Sequence, residues 1–294
     1  MIEPSVVEAI AALPCWGGAI NVLPLTGGMT NHNYLVTEGA VKFVVRQGSD
    51  IPAHGIMRFN EQAAARAAFA AGIGPRVLYA GSGFMVSEFI EGRTVSAEQM
   101  RDPAMLGRVC AILRRCHRQI PMYWAGPALI FWVFQVIRSY LSRLQSATAG
   151  ADALERLSAI AGQLETAVGP VVIAFGHNDL LAANFIDDGQ RLWLIDWDYA
   201  GFNSPLFDLA NLSSNNRFSR DSDGNLLTTY FERPYSAGEY RGFRAMLCAS
   251  LLRETLWASV SALSSKIDFD YRKYADEYRS RFEHEWLQFE KLYG

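Results

Sequence analysis

The segment GHNDLLAANFIDDGQRLWLIDWD, residues 176–198, constrains this chain more than any other stretch. His177, Asp179 and Asn184 precede an apolar run, LWLI, that ends beside Asp196 and Asp198. A buried carboxylate needs a partner. Either local groups satisfy these acids, or they stand at the rim of a site that holds a cation. NFIDDGQRLWLID predicts two strands around a DDG turn, and pairing across that turn brings Asn184 beside Asp196. Asp179 then lies on the loop five residues before Asn184. Two oxygen ligands next to a carboxylate base suit a Mg2+-dependent phosphoryl transfer, because Mg2+ takes few ligands from protein and the rest from water and phosphate. The competing reading makes these residues turn formers flanking a buried strand.

Spacing favours the first reading. The protein-kinase catalytic loop runs H-R-D-L-x-x-x-N and is followed by the metal-binding Asp of D-F-G. Here His177, Asp179, Leu180 and Asn184 keep that spacing, and Asp196 follows Ile195. Asn178 replaces the Arg of the first motif, and Asp198 the Gly of the second.

The rest of the chain supplies a frame. Strands are predicted near 19–25, 32–37 and 41–46, then an Ala-rich helix from about 56 to 71, then two strands in RVLYAG and GFMVSEFIEG. Beyond the EGR connector the periodicity is mostly helical, with a polar loop expected over roughly 213–234 and two helices closing the chain. The expected fold is α+β: a small β-rich lobe over 1–92 and a larger helical lobe over 93–294, with a ligand in the cleft between them. A net charge of −3 argues against a broad nucleic-acid-binding surface. The four scattered cysteines form no C-x-x-C pair, so neither a disulfide framework nor a zinc site is implied. MIEPSVVEAI lacks the basic start of a signal peptide, and ALIFWVFQVI is too short to span a bilayer. These features lead to the expectation of a cytoplasmic protein.

The sequence resembles the choline/ethanolamine kinases, relatives of the aminoglycoside phosphotransferases within the protein-kinase-like two-lobed fold. LTGGMTNHNYLV, HNDLLAANF, LIDWDYAGFNSPLFDLANLSSNN and LWASVSALSSKIDFDYRKYA carry the resemblance. It implies ATP as co-substrate, Asp179 as catalytic base, and Asn184 and Asp196 as Mg2+ ligands. His177 and Asp208 would brace the loop without touching substrate. Gly27, Gly28, Thr30 and Asn31 would approach the nucleotide phosphates, as backbone amides in a glycine turn can. Arg46, where related kinases carry Lys, would grip those phosphates through its two-pronged fork, with Glu61 as its partner and Lys42 on the same strand face as a fallback. The main chain of Glu88 and Ile90 would read adenine.

For the acceptor, the resemblance implies Glu254, Trp257, Tyr271 and Tyr274. A quaternary ammonium is held by aromatic faces and a nearby negative charge, although aromatic residues at helical spacing also serve as core. Glu254 stands where eukaryotic relatives carry Trp, and Asn215 where they carry an acid. Whether Asp198 or Asn215 joins the metal or acceptor site is left open, as is a homodimer. Choline, ethanolamine or a related amino alcohol is the expected acceptor. An aminoglycoside phosphotransferase differs from this only in acceptor, and the C-terminal acids interleave with Arg and Lys as on a solvated face. A nucleotide-binding pseudokinase is the alternative of another class.

Overall fold

The computed structural model describes residues 2–25, 31–81, 83–147, 151–265 and 267–294. Gly27, Gly28 and Thr30 lie outside the described residues. An N-terminal helix α1 (Pro4–Ala11) precedes β1 (Ile20–Leu25), β2 (His32–Glu38) and β3 (Val41–Gln47). Helix α2 (Arg58–Ala70) follows, then β4 (Val77–Gly81) and β5 (Phe84–Glu88). These strands form one antiparallel sheet in the order β1-β2-β3-β5-β4. Tyr34 and Val36 alternate onto the same face as Phe43 and Val45 of the neighbouring strand. Ile10 and Leu13 from the α1 end cover that face and close a small core with Phe84 and Val86. The early strands and α2 appear where the sequence predicts them. Helix α1 is additional: its buried Ile10 caps the sheet.

The connector β6 (Arg93–Thr94) pairs with a later strand, and Gly92 before it is required for close approach. A Cβ at Gly92 would lie 2.7 Å from Asp187 O. Then come α3 (Pro103–Tyr123), α4 (Val133–Ala147), α5 (Ala151–Val168) and β7 (Ala174–Gly176), followed by the hairpin β8 (Phe185–Asp187) and β9 (Leu192–Leu194). Strand β10 (Gly201–Asn203) pairs with β7, and α6 (Pro205–Asn215), α7 (Arg220–Phe231), α8 (Ala237–Ser264) and α9 (Tyr271–Tyr293) complete the chain.

Two of these helices correct the polar loop expected over 213–234. Helix α6 reaches Asn215, and α7 fills most of the remainder. The Ser219 hydroxyl caps α7 by accepting from Ser222 N, Asp221 and Asp223 favour its N-terminal turn, and Leu226, Leu227 and Tyr230 bury its inner face. Its first six residues are polar or Gly, which hid the apolar stripe. Helix α8 carries a capping box, Ser236 with Glu239, and is buried along nearly its whole length, as expected of a helix packed on several sides. It packs against α4, α5, α6 and α9 at the centre of the helical part. This is the α+β, protein-kinase-like arrangement expected from the sequence. Among the described residues no helix is long and apolar enough to cross a membrane.

Candidate active site

The β8–β9 hairpin brings its two ends together as the sequence predicts. Ile195 N donates to Asn184 O at 3.0 Å, which sets Asn184 beside the residue preceding Asp196. Asn184 Nδ2 in turn donates to Asp179 O at 2.9 Å. His177 is fully buried and bridges the loop: its Nδ1 accepts from Asp179 N (3.3 Å), so its Nε2 donates to Ile195 O (2.9 Å). Burial, the largest influence, holds the His177 pKa below its ordinary value. A neutral ring is what these two bonds need.

Helix α6 pins the loop from beneath. Asp208 Oδ1 accepts from Asn178 N at 2.7 Å, while Oδ2 accepts from His177 N at 2.9 Å and faces His117 Nε2 at 2.9 Å. Burial, the largest influence, would raise the Asp208 pKa, but the hydrogen bond to His117 and the one from the His177 main-chain N–H help bring it below its ordinary value. One turn on, Asn211 Oδ1 accepts from Leu180 N, and Asn216 binds both Ala182 N and Leu180 O. Asn178, in place of the motif's Arg, adopts a left-handed φ of 66° that Asn tolerates. Its buried amide donates to the carbonyls of Tyr199 and Gly201, tying the loop to β10.

Arg46 stands beside Glu61, the partner named from the sequence, and Asp196 joins the pair. Arg46 Nη1 lies 2.8 Å from Glu61 Oε1, 2.7 Å from Asp196 Oδ1 and 3.1 Å from Asp198 Oδ1. Burial opposes its charge, but the carboxylates of Asp196, Glu61 and Asp198 keep its pKa well above the ordinary value. A second guanidinium shares the cluster: Arg58 reaches Glu61 at 2.6 Å and Asp198 at 2.8 Å, and donates to Asn31 Oδ1 at 2.7 Å. Asn31 Nδ2 donates to Asp198 Oδ2 at 2.8 Å. Thus Asp198 is bound into the arginine cluster, and Asn31 braces it. Lys42, the fallback, instead pairs with exposed Glu91 and lies over Phe89.

A cavity of ≈500 Å³ connects these groups. Glu88 and Ile90 line it, and the Glu88 N–H donates to Arg76 O. Asp179, Asn184 and Asp196 also line it, as do Glu254, Trp257 and Tyr274. Trp257 meets Tyr274 and Tyr271 edge-on, with ring centres 5.8 and 5.7 Å apart. Tyr271 does not line the cavity. It packs against Trp257 and shares a hydrogen bond with Ser265 Oγ, so its role in this arrangement is to buttress the wall. Glu254 is already occupied, by the Tyr274 hydroxyl at 3.2 Å and by Arg253 Nη1. Asn215 lies away from the cavity and donates to Asn211 Oδ1.

Asp179 keeps 19% of its side chain open to the cleft. Burial, the largest influence, raises its pKa. Arg253 opposes this and Glu254, Asp196 and Asp198 reinforce it, leaving the carboxyl pushed up to about 8. A cation arriving in the cleft acts in the opposite direction. For a metal, Asn184 and Asp196 are a hard-oxygen pair at the cavity wall, and Asp196 takes a left-handed φ of 71° at the end of the hairpin. That donor chemistry fits Mg2+ with most of its ligands drawn from water and phosphate.

Arg58 and Arg253 escaped the sequence reading. Arg58 stands three residues before Glu61, an i,i+3 spacing that was a usable sign. Nothing local marked Arg253.

The chain is similar to known proteins in sequence and in fold. The chain is 33% identical over 210 residues to the protein LicA of Haemophilus influenzae, covering 69% of this chain and 61% of that protein's length. A crystal structure of a choline/ethanolamine kinase family protein from Mesorhizobium loti superposes with a TM-score of 0.78 at 29% identity, covering 96% of this chain and 93% of that one. The choline kinase LicA of Streptococcus pneumoniae shares the fold, with a TM-score of 0.79 at 24% identity over 97% of this chain and 98% of that one. The sequence profile of the choline/ethanolamine kinases matches residues 22–222, from β1 through the 177–184 loop and into α7. The chain therefore belongs to the choline/ethanolamine kinase family.

Proposed function

We propose that this protein transfers the γ-phosphoryl group of ATP, with Mg2+, to the hydroxyl of choline, ethanolamine or a related amino alcohol. One observation carries the reading. Asp179, Asn184 and Asp196 line a single cavity together with Glu88 and Ile90 from the small lobe and its connector and with Glu254, Trp257 and Tyr274 from the C-terminal helices. The nucleotide would take the Glu88 and Ile90 end, and Arg46 would engage its phosphates once released from Asp196. Held by Asn184 and Asp196, Mg2+ would neutralise charge on the transferring and leaving phosphate oxygens. Asp179 would orient the acceptor hydroxyl and accept its proton as the oxygen attacks, a task that needs the carboxylate within hydrogen-bond reach of that hydroxyl. Trp257 and Tyr274 would present ring faces to the ammonium group, worth about 0.5–2 kcal/mol per face. Family membership supports both the reaction class and the amino-alcohol acceptor.

The test is ATP consumption measured against choline, ethanolamine, related amines and several aminoglycosides. Turnover with one or more small amino alcohols is expected. Turnover with aminoglycosides alone, or none with any acceptor in the presence of Mg2+, would contradict the reading.

A further inference from the structure

The acceptor end contains a cation that the reaction as proposed does not use. Arg253 is 1% exposed and ranks among the largest fully buried side chains. It lies on α8 beside Glu254, one helical turn before Trp257. Its Nη1 contacts Glu254 Oε1 and stands 3.8 Å from Asp179 Oδ1. The guanidinium is carried on aromatic faces, with Cζ 4.5 Å from the centre of Tyr199 and 5.6 Å from that of Phe131. Among the described residues Nε and Nη2 make no hydrogen bond. Apart from the Nη1 bond to Glu254, the side chain is held by stacking and by charge, and its contribution to the site is electrostatic.

We propose that Arg253 is a positioning and specificity residue, which lets the Asp179 and Glu254 carboxylates share one pocket and sets its charge to accept a monocation. The inference rests on the phosphotransfer reading above for the identity of the pocket. Two like charges in one desolvated site cannot both persist without a compensating cation. With Asp179 ionised, the form that a bound cation favours, two carboxylates and one guanidinium leave one net negative formal charge. A single ammonium brings the occupied pocket to neutrality, whereas a dication or a polycationic aminoglycoside leaves an excess buried positive charge. The neighbouring His54 adds none near neutral pH, because burial, then Arg253 and Arg143, hold its pKa down to about 4. Glu254, which by itself looks like the counter-ion for the substrate, is thus already half of a protein ion pair.

The experiment compares ethanolamine with 1,3-diamino-2-propanol, which adds a second ammonium to a similar skeleton. In the native protein kcat/KM should favour ethanolamine. Arg253→Met should raise the diamine-to-ethanolamine ratio at least tenfold and leave the KM for MgATP within about twofold, a split that loss of fold would not produce. Arg253→Lys keeps the charge and should keep most of the native preference. Adding Glu254→Gln to Arg253→Met removes the orphaned negative charge and should return the ratio towards the native value. An unmoved ratio in Arg253→Met, an equal shift in Arg253→Lys, or no return in the double variant would overturn the proposal while leaving the kinase reading intact. If Arg253→Met does not fold, a native protein that prefers the diamine overturns it, and retained preference in Arg253→Lys supports it. Quenching of tryptophan fluorescence by the same two amines repeats the comparison as binding. A shifted binding ratio without ATP consumption would support the role of Arg253 and sink the phosphotransfer reading alone.

Discussion

Replacing Asp208 by Asn is a near-isosteric change at a fully buried position, and its effect can be worked from three contacts. Asp208 accepts from the main-chain N–H groups of His177 and Asn178 and faces His117 Nε2. An amide has one acceptor end and one donor end. If its oxygen serves His177 and His117, its NH2 points at the N–H of Asn178; turned the other way, it opposes His177 and His117. Either orientation loses a charge-assisted bond and strands a buried donor. Removing one partner from a buried charged cluster typically costs about 3–5 kcal/mol. At roughly 2–4 °C per kcal/mol for chains approaching this size, Tm should fall by on the order of 10 °C. Calorimetry of the native protein, Asp208→Asn and the exposed control Asp221→Asn measures this, with the control expected to stay within about 0.5 kcal/mol of native. Because Asp208 holds the 177–184 loop and does not line the cavity, kcat should fall while ATP affinity persists. A Tm within 2 °C of native, a threshold set by that conversion, would refute the claim that Asp208 anchors the loop.

Other consequences are accessible to the same kind of measurement. Trp257→Leu removes a ring face while keeping apolar volume, so the acceptor KM should rise about 5–30-fold from the loss of one to two kcal/mol of cation–π attraction, with a smaller change in kcat; an unchanged KM would remove Trp257 from the pocket. His54, bonded to Tyr140 and Ser261, has its pKa lowered to about 4, so the folded state prefers its neutral form. Its stabilisation is present above its ordinary pKa of 6.5 and is lost as pH falls from there towards 4, up to about 3 kcal/mol in all. Thermal scans across that window should show a shallower loss for His54→Gln than for the native protein. Asp196→Asn should raise the Mg2+ requirement for turnover at least tenfold, read from activity against metal concentration, with an unmoved midpoint as the contrary result.

What could be read from the sequence divides by distance along the chain. Asp179, Asn184 and Asp196 fall within one loop and hairpin, so spacing and turn chemistry sufficed to bring them together. Arg46 and Glu61 were reached through strand alternation, one helix and the family resemblance. The arginine cluster was harder, because Arg58 meets Asp198 across 140 residues and Arg46 meets Asp196 across 150. No local pattern predicts such pairings. Arg253 was hidden for a related reason: in LLRETLW it reads as an ordinary helix residue, and only the packing of Tyr199 and Phe131 around it reveals a buried cation. Tyr271 shows the converse. Its spacing from Trp257 and Tyr274 suits a cage, yet its ring backs the wall and does not face the cavity. Helix α7 was taken for loop because its polar residues and Gly224 mask three buried apolar positions.

The most direct measurement of the central claim is the pairing of turnover with nucleotide affinity in Asp179→Asn. The substitution keeps the side chain's shape and removes the proton acceptor beside the attacking oxygen. With MgATP and the preferred amino alcohol, kcat should fall by a factor of about 10²–10⁴, the usual contribution of a positioned base, or by more. The dissociation constant for MgATP should stay within about threefold, less than 1 kcal/mol at 1.4 kcal/mol per tenfold. A variant that keeps near-native turnover, or that loses nucleotide binding together with activity, would contradict the assignment of Asp179 as the base of a phosphoryl transfer.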